Sequence, residues 1–167
     1  LPGITVVGLP DATVRESRDR VRTAIRNAGF PFPGSRVTVS LAPSDMRKVG
    51  AAFDLPIALG VLAASGVLPH HDSRRVLVVG GVSLDGSVPS MRGLLPIAAA
   101  ARQANAALIF PEANLPEASI VDDLPLCPVA SLMAAARAFV DPAPVSTRRG
   151  RVTAPGGPLA SDDLSDV

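Results

Sequence analysis

The pattern that most constrains this chain is an alternation of short β-branched runs with segments of helical period. Ile4-Thr5-Val6-Val7 is β-rich and is ended by Gly8 and Pro10. Asp11 stands where the cap of a helix belongs, and Val14, Val21, Ile25 and Ala28 then recur at helical spacing, which gives the helix one buried face. Gly29 takes the usual C-terminal stop position, residues 31–34 read as a turn, and residues 36–42 return as a strand.

The second half repeats the alternation. Asp54 reads as the N-cap of a helix that tolerates Pro56 in its first turn and is apolar nearly all round through Ile57, Leu59, Val61 and Leu62, so it belongs beneath a sheet. Val76 to Val82 is a continuous apolar run, and Asp85-Gly86 before Val88 signals a β-hairpin, which argues against a purely parallel sheet. A helix from about Leu94 to Ala104, a strand from Ala107 to Phe110, a short strand from Leu126 to Val129 and a helix capped by Ser131 through Phe139 complete the order. Together these elements predict an α/β domain of two layers with a mixed sheet.

A chain of 167 residues is long enough for one domain with a sizeable core. Its hydrophobic content is 47% with only 3% aromatic residues and no Trp or Tyr, so that core must be built from Val, Leu, Ile and Ala. The formal net charge of +1 excludes a globally cationic nucleic-acid binder and leaves room for a local patch. The lone Cys127 has no internal disulfide partner, and with no signal peptide or long apolar run the expected setting is cytoplasmic, without membrane contact. From Asp141 onward prolines, glycines and arginines without apolar periodicity read as a linker, dividing the chain into a domain at residues 1–140 and a flexible segment at 141–167. The opening residue is Leu1 rather than Met, so a preceding segment is expected.

Two blocks carry a family resemblance. The first runs from Gly8-Leu9-Pro10-Asp11-Ala12 through Asn27-Ala28-Gly29-Phe30, Arg36-Val37-Thr38-Val39 and Leu41-Ala42-Pro43-Ser44-Asp45 to Lys48-Val49-Gly50-Ala51-Ala52-Phe53-Asp54-Leu55-Pro56-Ile57-Ala58. It resembles the N-terminal domain of the YifB/ComM family of magnesium-chelatase-subunit-like AAA+ ATPases. The second, Leu84-Asp85-Gly86-Ser87-Val88 to Gly93-Leu94 and then Leu108-Ile109-Phe110-Pro111-Glu112-Ala113-Asn114, is similar to the matching stretch of Lon and RadA proteins. The resemblance implies a Lon-protease-like fold of the ribosomal protein S5 domain 2-like type over residues 1–140. It further implies a parent protein that is a hexameric, DNA-processing motor similar to branch-migration helicases, whose ATP and Mg2+ are bound by its own C-terminal AAA+ domain. The final residues, 161–167, resemble the lead-in to that module.

Set against Lon, the chemistry is missing. The nucleophilic serine of Lon would fall within Gly50-Ala51-Ala52-Phe53-Asp54, which holds no serine, and its lysine would fall at Leu94-Leu95-Pro96-Ile97, which holds no lysine. Serine needs an adjacent base to become a nucleophile, so the loss of both partners removes the reaction, and no residue is assigned as catalytic. The single lysine, Lys48, is followed by Val49, so there is no P-loop and no cofactor is expected within this chain. The pair Gly80-Gly81 reads as close backbone approach in a strand. The rival reading is a divergent Lon-like serine peptidase with a relocated dyad, for which Ser44 and Lys48 stand four residues apart.

The arginine stripe is the leading functional candidate. Arg15, Arg18, Arg22 and Arg26 are spaced three, four and four apart and line one face of the first helix, where guanidinium groups can hold a DNA backbone through phosphate contacts. Arg47 and Lys48 are candidates to extend the patch. The competing reading is a solvated face laced by Arg15–Asp19, Glu16–Arg20 and Asp19–Arg22 pairs, and a third use is contact with a neighbouring subunit of a ring. His70-His71 has no further ligand at recognised spacing, so no metal site is expected; Cys127 reads as a small buried hydrophobe and Asp122-Asp123 as a turn.

Overall fold

The computed structural model describes residues 2–42, 51–69 and 75–146. Strand β1 (Gly3–Val7) and strand β2 (Arg36–Ser40) pair in parallel, Ile4 against Val37 and Val6 against Val39. Between them runs helix α1 (Asp11–Asn27). Their alternation puts Ile4, Val6 and Val37 into the core and Thr5, Val7 and Thr38 outside. Gly8 turns the chain out of β1 with φ +100°, a conformation in which a side chain would collide with the carbonyl oxygen of Leu41.

Helix α1 begins at Asp11 itself, so Pro10 and not Asp11 holds the flanking position, and the Pro10 carbonyl accepts the first helical bond from the Val14 amide at 2.9 Å. The expected apolar face is present: Val21, Ala24 and Ile25 are buried, with Val14 and Ala28 packed beside them.

A 3-10 turn at Ala51–Phe53 leads into helix α2 (Asp54–Ala64). Leu55, Ile57, Ala58, Leu59, Val61 and Leu62 are all buried, since α2 packs against α1, β2 and the last helix, α5 (Leu132–Val140). An element apolar on every side is stable only in such a place. Asp54 is the first residue inside α2 and Phe53 stands in the cap position, so Asp54 is not the N-cap that its place in sequence implies. Its carboxylate is buried against α1, which leaves it unavailable to cap the helix.

The second sheet is mixed and has the order β3-β4-β5-β6. Strands β3 (Val76–Val78), β4 (Ala107–Pro111) and β5 (Pro125–Val129) are parallel, and β6 (Val145–Ser146) runs antiparallel to β5. The antiparallel pairing thus comes from residues inside the stretch that composition assigns to the linker. The rest of that stretch, from residue 147, lies outside the described residues. Helix α3 (Leu94–Gln103) and the single-turn α4 (Leu115–Ala118) bury Leu94, Ala98, Ala101 and Ala118 against Leu108, Phe110 and Leu126.

The hairpin expected at Asp85-Gly86 resolves into a turn without flanking strands. The Ser83 amide donates to the Ser87 carbonyl at 2.8 Å, closing the turn, and the chain then leaves to bridge Ser131 through Ser87. Asp85 Oδ1 accepts from both the amide and the hydroxyl of Ser87, at 2.9 and 2.7 Å, which depresses the Asp85 pKa. The turn rests on α1: Asn27 Nδ2 donates to the Leu84 carbonyl at 2.6 Å, and Gly86 lies against Ala28 and Ala24. Packing on a helix has replaced pairing with a second strand.

Asp122 and Asp123 do form a turn, with Asp123 at φ +56°. Ser131 caps α5 as expected, its hydroxyl accepting from the Ala134 amide at 3.1 Å.

Candidate nucleic-acid interface

Helix α1 sorts its arginines by angle. At about 100° per residue, Arg15, Arg22 and Arg26 fall within an arc of about 40°, Arg18 lies about 60° to one side, and Arg20 is turned some 140° away. The structure treats the two groups in opposite ways.

Arg20 faces α2 and is consumed there. Its Nε donates to Asp54 Oδ2 at 2.6 Å, and Ser17 Oγ donates to Asp54 Oδ1 at 2.6 Å. The Asp54 carboxylate is almost wholly removed from water and has a donor on each oxygen, the condition under which a buried charge is tolerated. This hydrogen bond raises the Arg20 pKa above its already high value. Glu16, one turn back, adds a weaker exposed contact at 3.6 Å, the Glu16–Arg20 pair that helical spacing predicts.

Arg15, Arg22 and Arg26 are exposed, and among the residues whose side chains are described, which leaves out Asp11, none of them has a carboxylate within ion-pair distance. The Arg15–Asp19 and Asp19–Arg22 pairs expected from spacing do not form, because Asp19 instead accepts from Arg18 Nε at 3.3 Å. The guanidinium carbons of Arg22 and Arg26 lie over the ring of Phe32, 5.2 and 5.1 Å from its centroid. Phe32 was not singled out from the sequence. Its signal is the Phe30-Pro31-Phe32-Pro33 run, which stiffens the backbone that returns past α1. Arg47 and Lys48 lie outside the described residues, as do Ser44 and the pair His70-His71.

The places where the resemblance to Lon would put its serine and lysine border a cleft. A cavity of about 450 Å3 is lined by Ala52, Phe53, Leu77, Val79, Met91 and Ile97 among others, and a neighbouring one of about 280 Å3 shares Ala52, Met91 and Arg92 and adds Ser90. Among the described residues Ser90 and Arg92 are the polar side chains of these walls, and an arginine stays protonated and cannot serve a serine as base. Asn114 braces one side of the cleft: its amide donates to the Met91 carbonyl at 2.7 Å and its oxygen accepts from the Met91 amide at 2.9 Å. Cys127 is buried in β5, and burial pushes its thiol pKa up, away from nucleophilic use. Among the described residues no group of three His, Cys, Asp or Glu side chains is placed to hold a metal ion, and no helix is long and apolar enough to cross a membrane.

Residues 1–114, which include α1, Phe32, Asp54 and the cleft, match the family described as subunit ChlI of Mg-chelatase. The chain is 45% identical over 122 residues to the competence protein ComM of Haemophilus influenzae, covering 73% of this chain and 24% of that protein. It is 45% identical over 125 residues to an uncharacterized protein of Mycobacterium tuberculosis, covering 74% and 25% respectively. It is 36% identical over 167 residues to the uncharacterized protein YifB of Salmonella typhimurium, covering 100% of this chain and 33% of that protein. The chain therefore spans about a quarter to a third of the length of these curated relatives. With more than half of its residues inside the matched region, this chain belongs to the Mg-chelatase ChlI-like family, in the company of ComM and YifB.

Proposed function

We propose that this chain is a non-catalytic accessory domain of a ComM/YifB-like AAA+ ATPase and that it guides DNA along the arginine face of α1. The observation that carries this reading is the unequal treatment of the arginines: Arg20 is tied to Asp54 of the second helix, while Arg22 and Arg26, with Arg15 on the same arc, stand exposed without carboxylate partners among the described side chains. Three such cations, with Arg18 beside them, along roughly 16 Å of helix suit successive phosphates of a nucleic-acid backbone, which dominate affinity and carry no sequence preference. The name of the relative ComM, a competence protein, agrees with a partner of this kind.

ATP and Mg2+ belong, in this reading, to the AAA+ module of the parent protein, which works as a homo-hexameric motor, and the present domain also helps assemble that ring. The residues of this chain do not fit a nucleotide: the one lysine is followed by Val49 and not by Ser or Thr, and no carboxylate cluster is placed for a metal among the described residues. The stretch Gly50-Ala51-Ala52-Phe53-Asp54 holds no serine and Leu94-Leu95-Pro96-Ile97 holds no lysine, which supports an accessory role over peptidase chemistry.

The test is binding of fluorescent duplex DNA to the wild-type chain and to the combined Arg15→Glu, Arg18→Glu, Arg22→Glu and Arg26→Glu variant across a salt series. The wild type is expected to show a log–log salt slope of about −3, from three to four phosphate contacts at about −0.9 each, and the variant no measurable binding. Unchanged binding by the variant removes α1 as the DNA surface.

A further inference from the structure

We propose that Phe32 is a positioning residue that sets Arg22 and Arg26 as a paired fork for one stretch of phosphodiester backbone. This rests on the reading of α1 as a DNA surface and deepens it by naming what is recognised: the phosphate, through guanidinium geometry, and not the base.

Arg22 and Arg26 are one helical turn apart, and like charges at that spacing destabilise a helix. Here both guanidiniums lie over a single aromatic ring, at 5.2 and 5.1 Å. The negative face of the ring offsets part of the repulsion, and contact with it removes rotamer freedom from two long side chains before any ligand arrives. Pro31 and Pro33 flank Phe32 and restrict its backbone, Pro33 is buried, and Phe32 itself is half-buried against the core. The ring is therefore a fixed anvil and the arginines are the parts that would otherwise wander. A guanidinium lying over a ring keeps its N–H edges free, and those edges are the ones that match two phosphate oxygens.

Two cations over one ring, without a carboxylate partner among the described side chains, also make a site that an anion relieves. No carboxylate among the described residues supplies that anion, although Asp19 and Glu16 sit on the same helix, because these pair with Arg18 and Arg20.

The experiment measures binding of a fluorescent DNA duplex of about 20 base pairs to the full 167-residue chain over a salt series. Wild type, Phe32→Leu, Phe32→Tyr, a double Arg22→Lys and Arg26→Lys variant and the fourfold Glu variant are compared, with thermal melting of each. Phe32→Leu keeps every charge and removes the ring, so affinity is expected to fall about three- to tenfold with the salt slope unchanged. Phe32→Tyr restores affinity to within about twofold, and the double lysine variant, which keeps the core intact, falls by a similar factor at unchanged slope. Wild-type affinity in both Phe32→Leu and the double lysine variant overturns the proposal, and so does a loss in Phe32→Leu that takes the slope with it. Each of these outcomes is distinct from failure of the DNA reading itself, in which the fourfold variant binds as well as the wild type.

Discussion

Replacing Asp54 by Ala tests how α1 is held to α2, and the structure sets the size of the effect. Asp54 receives Ser17 Oγ and Arg20 Nε, each at 2.6 Å, and its side chain is 2% exposed. Without the carboxylate, Ser17, itself buried, keeps a hydroxyl with no partner, at a cost of about 2 kcal/mol. Loss of a charge-assisted bond costs about 1.5–3 kcal/mol when the cation is fully desolvated. The Arg20 side chain is 29% exposed and keeps Glu16 at 3.6 Å, so the lower part of that range applies. The sum is about 3.5 kcal/mol, or a fall in Tm of about 10 °C for a chain of this size. Urea unfolding followed by circular dichroism reads it directly. The double variant Arg20→Met with Asp54→Ala should be less destabilised than the two single changes added together, because it removes the stranded cation. A loss below about 1 kcal/mol for Asp54→Ala would refute the reasoning, since the pair would then be an ornament of the packing and not a tie between helices.

Gly8→Ala should cost about 2 kcal/mol or more, because φ at Gly8 is +100° and a Cβ there meets the Leu41 carbonyl oxygen; a shift in urea midpoint measures it. Asn114→Ala strips the part-buried Met91 backbone of the partners of both its amide and its carbonyl and should destabilise by about 1–2 kcal/mol, read the same way, with faster amide exchange at Met91 as its local signature. Burial raises the Cys127 thiol pKa, so the folded state holds its proton to higher pH than the unfolded chain. The stability contribution is complete below the ordinary thiol range and is lost as pH rises through the folded value, so unfolding midpoints should fall on the alkaline side and Cys127→Ala should flatten that fall.

Much of the fold was legible because its signals are local. The period of Val14, Val21, Ile25 and Ala28 marked α1, the unbroken apolar run after Asp54 marked a central helix, and Ser131 sat where a cap belongs and is one. What escaped depends on residues distant in sequence. Asp54 reads as a cap because caps are local, but its partners are Ser17 and Arg20, 37 and 34 positions away. The Asp85-Gly86 signal gave the turn and misjudged its flanks, because Asn27 and Ala28 supply the packing that a second strand would have given. Strand β6 has two residues and takes its register from β5, so a proline-rich stretch hid it.

The same limit divides the candidate site. Helical spacing placed Arg15, Arg18, Arg22 and Arg26 on one side of α1, yet it could not tell which cations would be neutralised. Asp19 was an equal partner for Arg15 and Arg22 on spacing alone, and the structure gives it to Arg18, its neighbour in the chain. Phe32 lies beyond the helix, so its place over Arg22 and Arg26 follows from the return of the chain past α1 and not from any period in the sequence.

The most direct test of the account is an NMR titration of the isotopically labelled chain with a short DNA duplex, following backbone amides and arginine Nε–H signals together. The account predicts that shifts concentrate on Arg15, Arg18, Arg22 and Arg26 and on Phe32, and that Arg20 Nε–H, held by Asp54, stays in place. Shifts that spare α1 and gather elsewhere, for instance at Met91 and Arg92 in the cleft, or no shifts at duplex concentrations far above those that saturate a micromolar site, would contradict it.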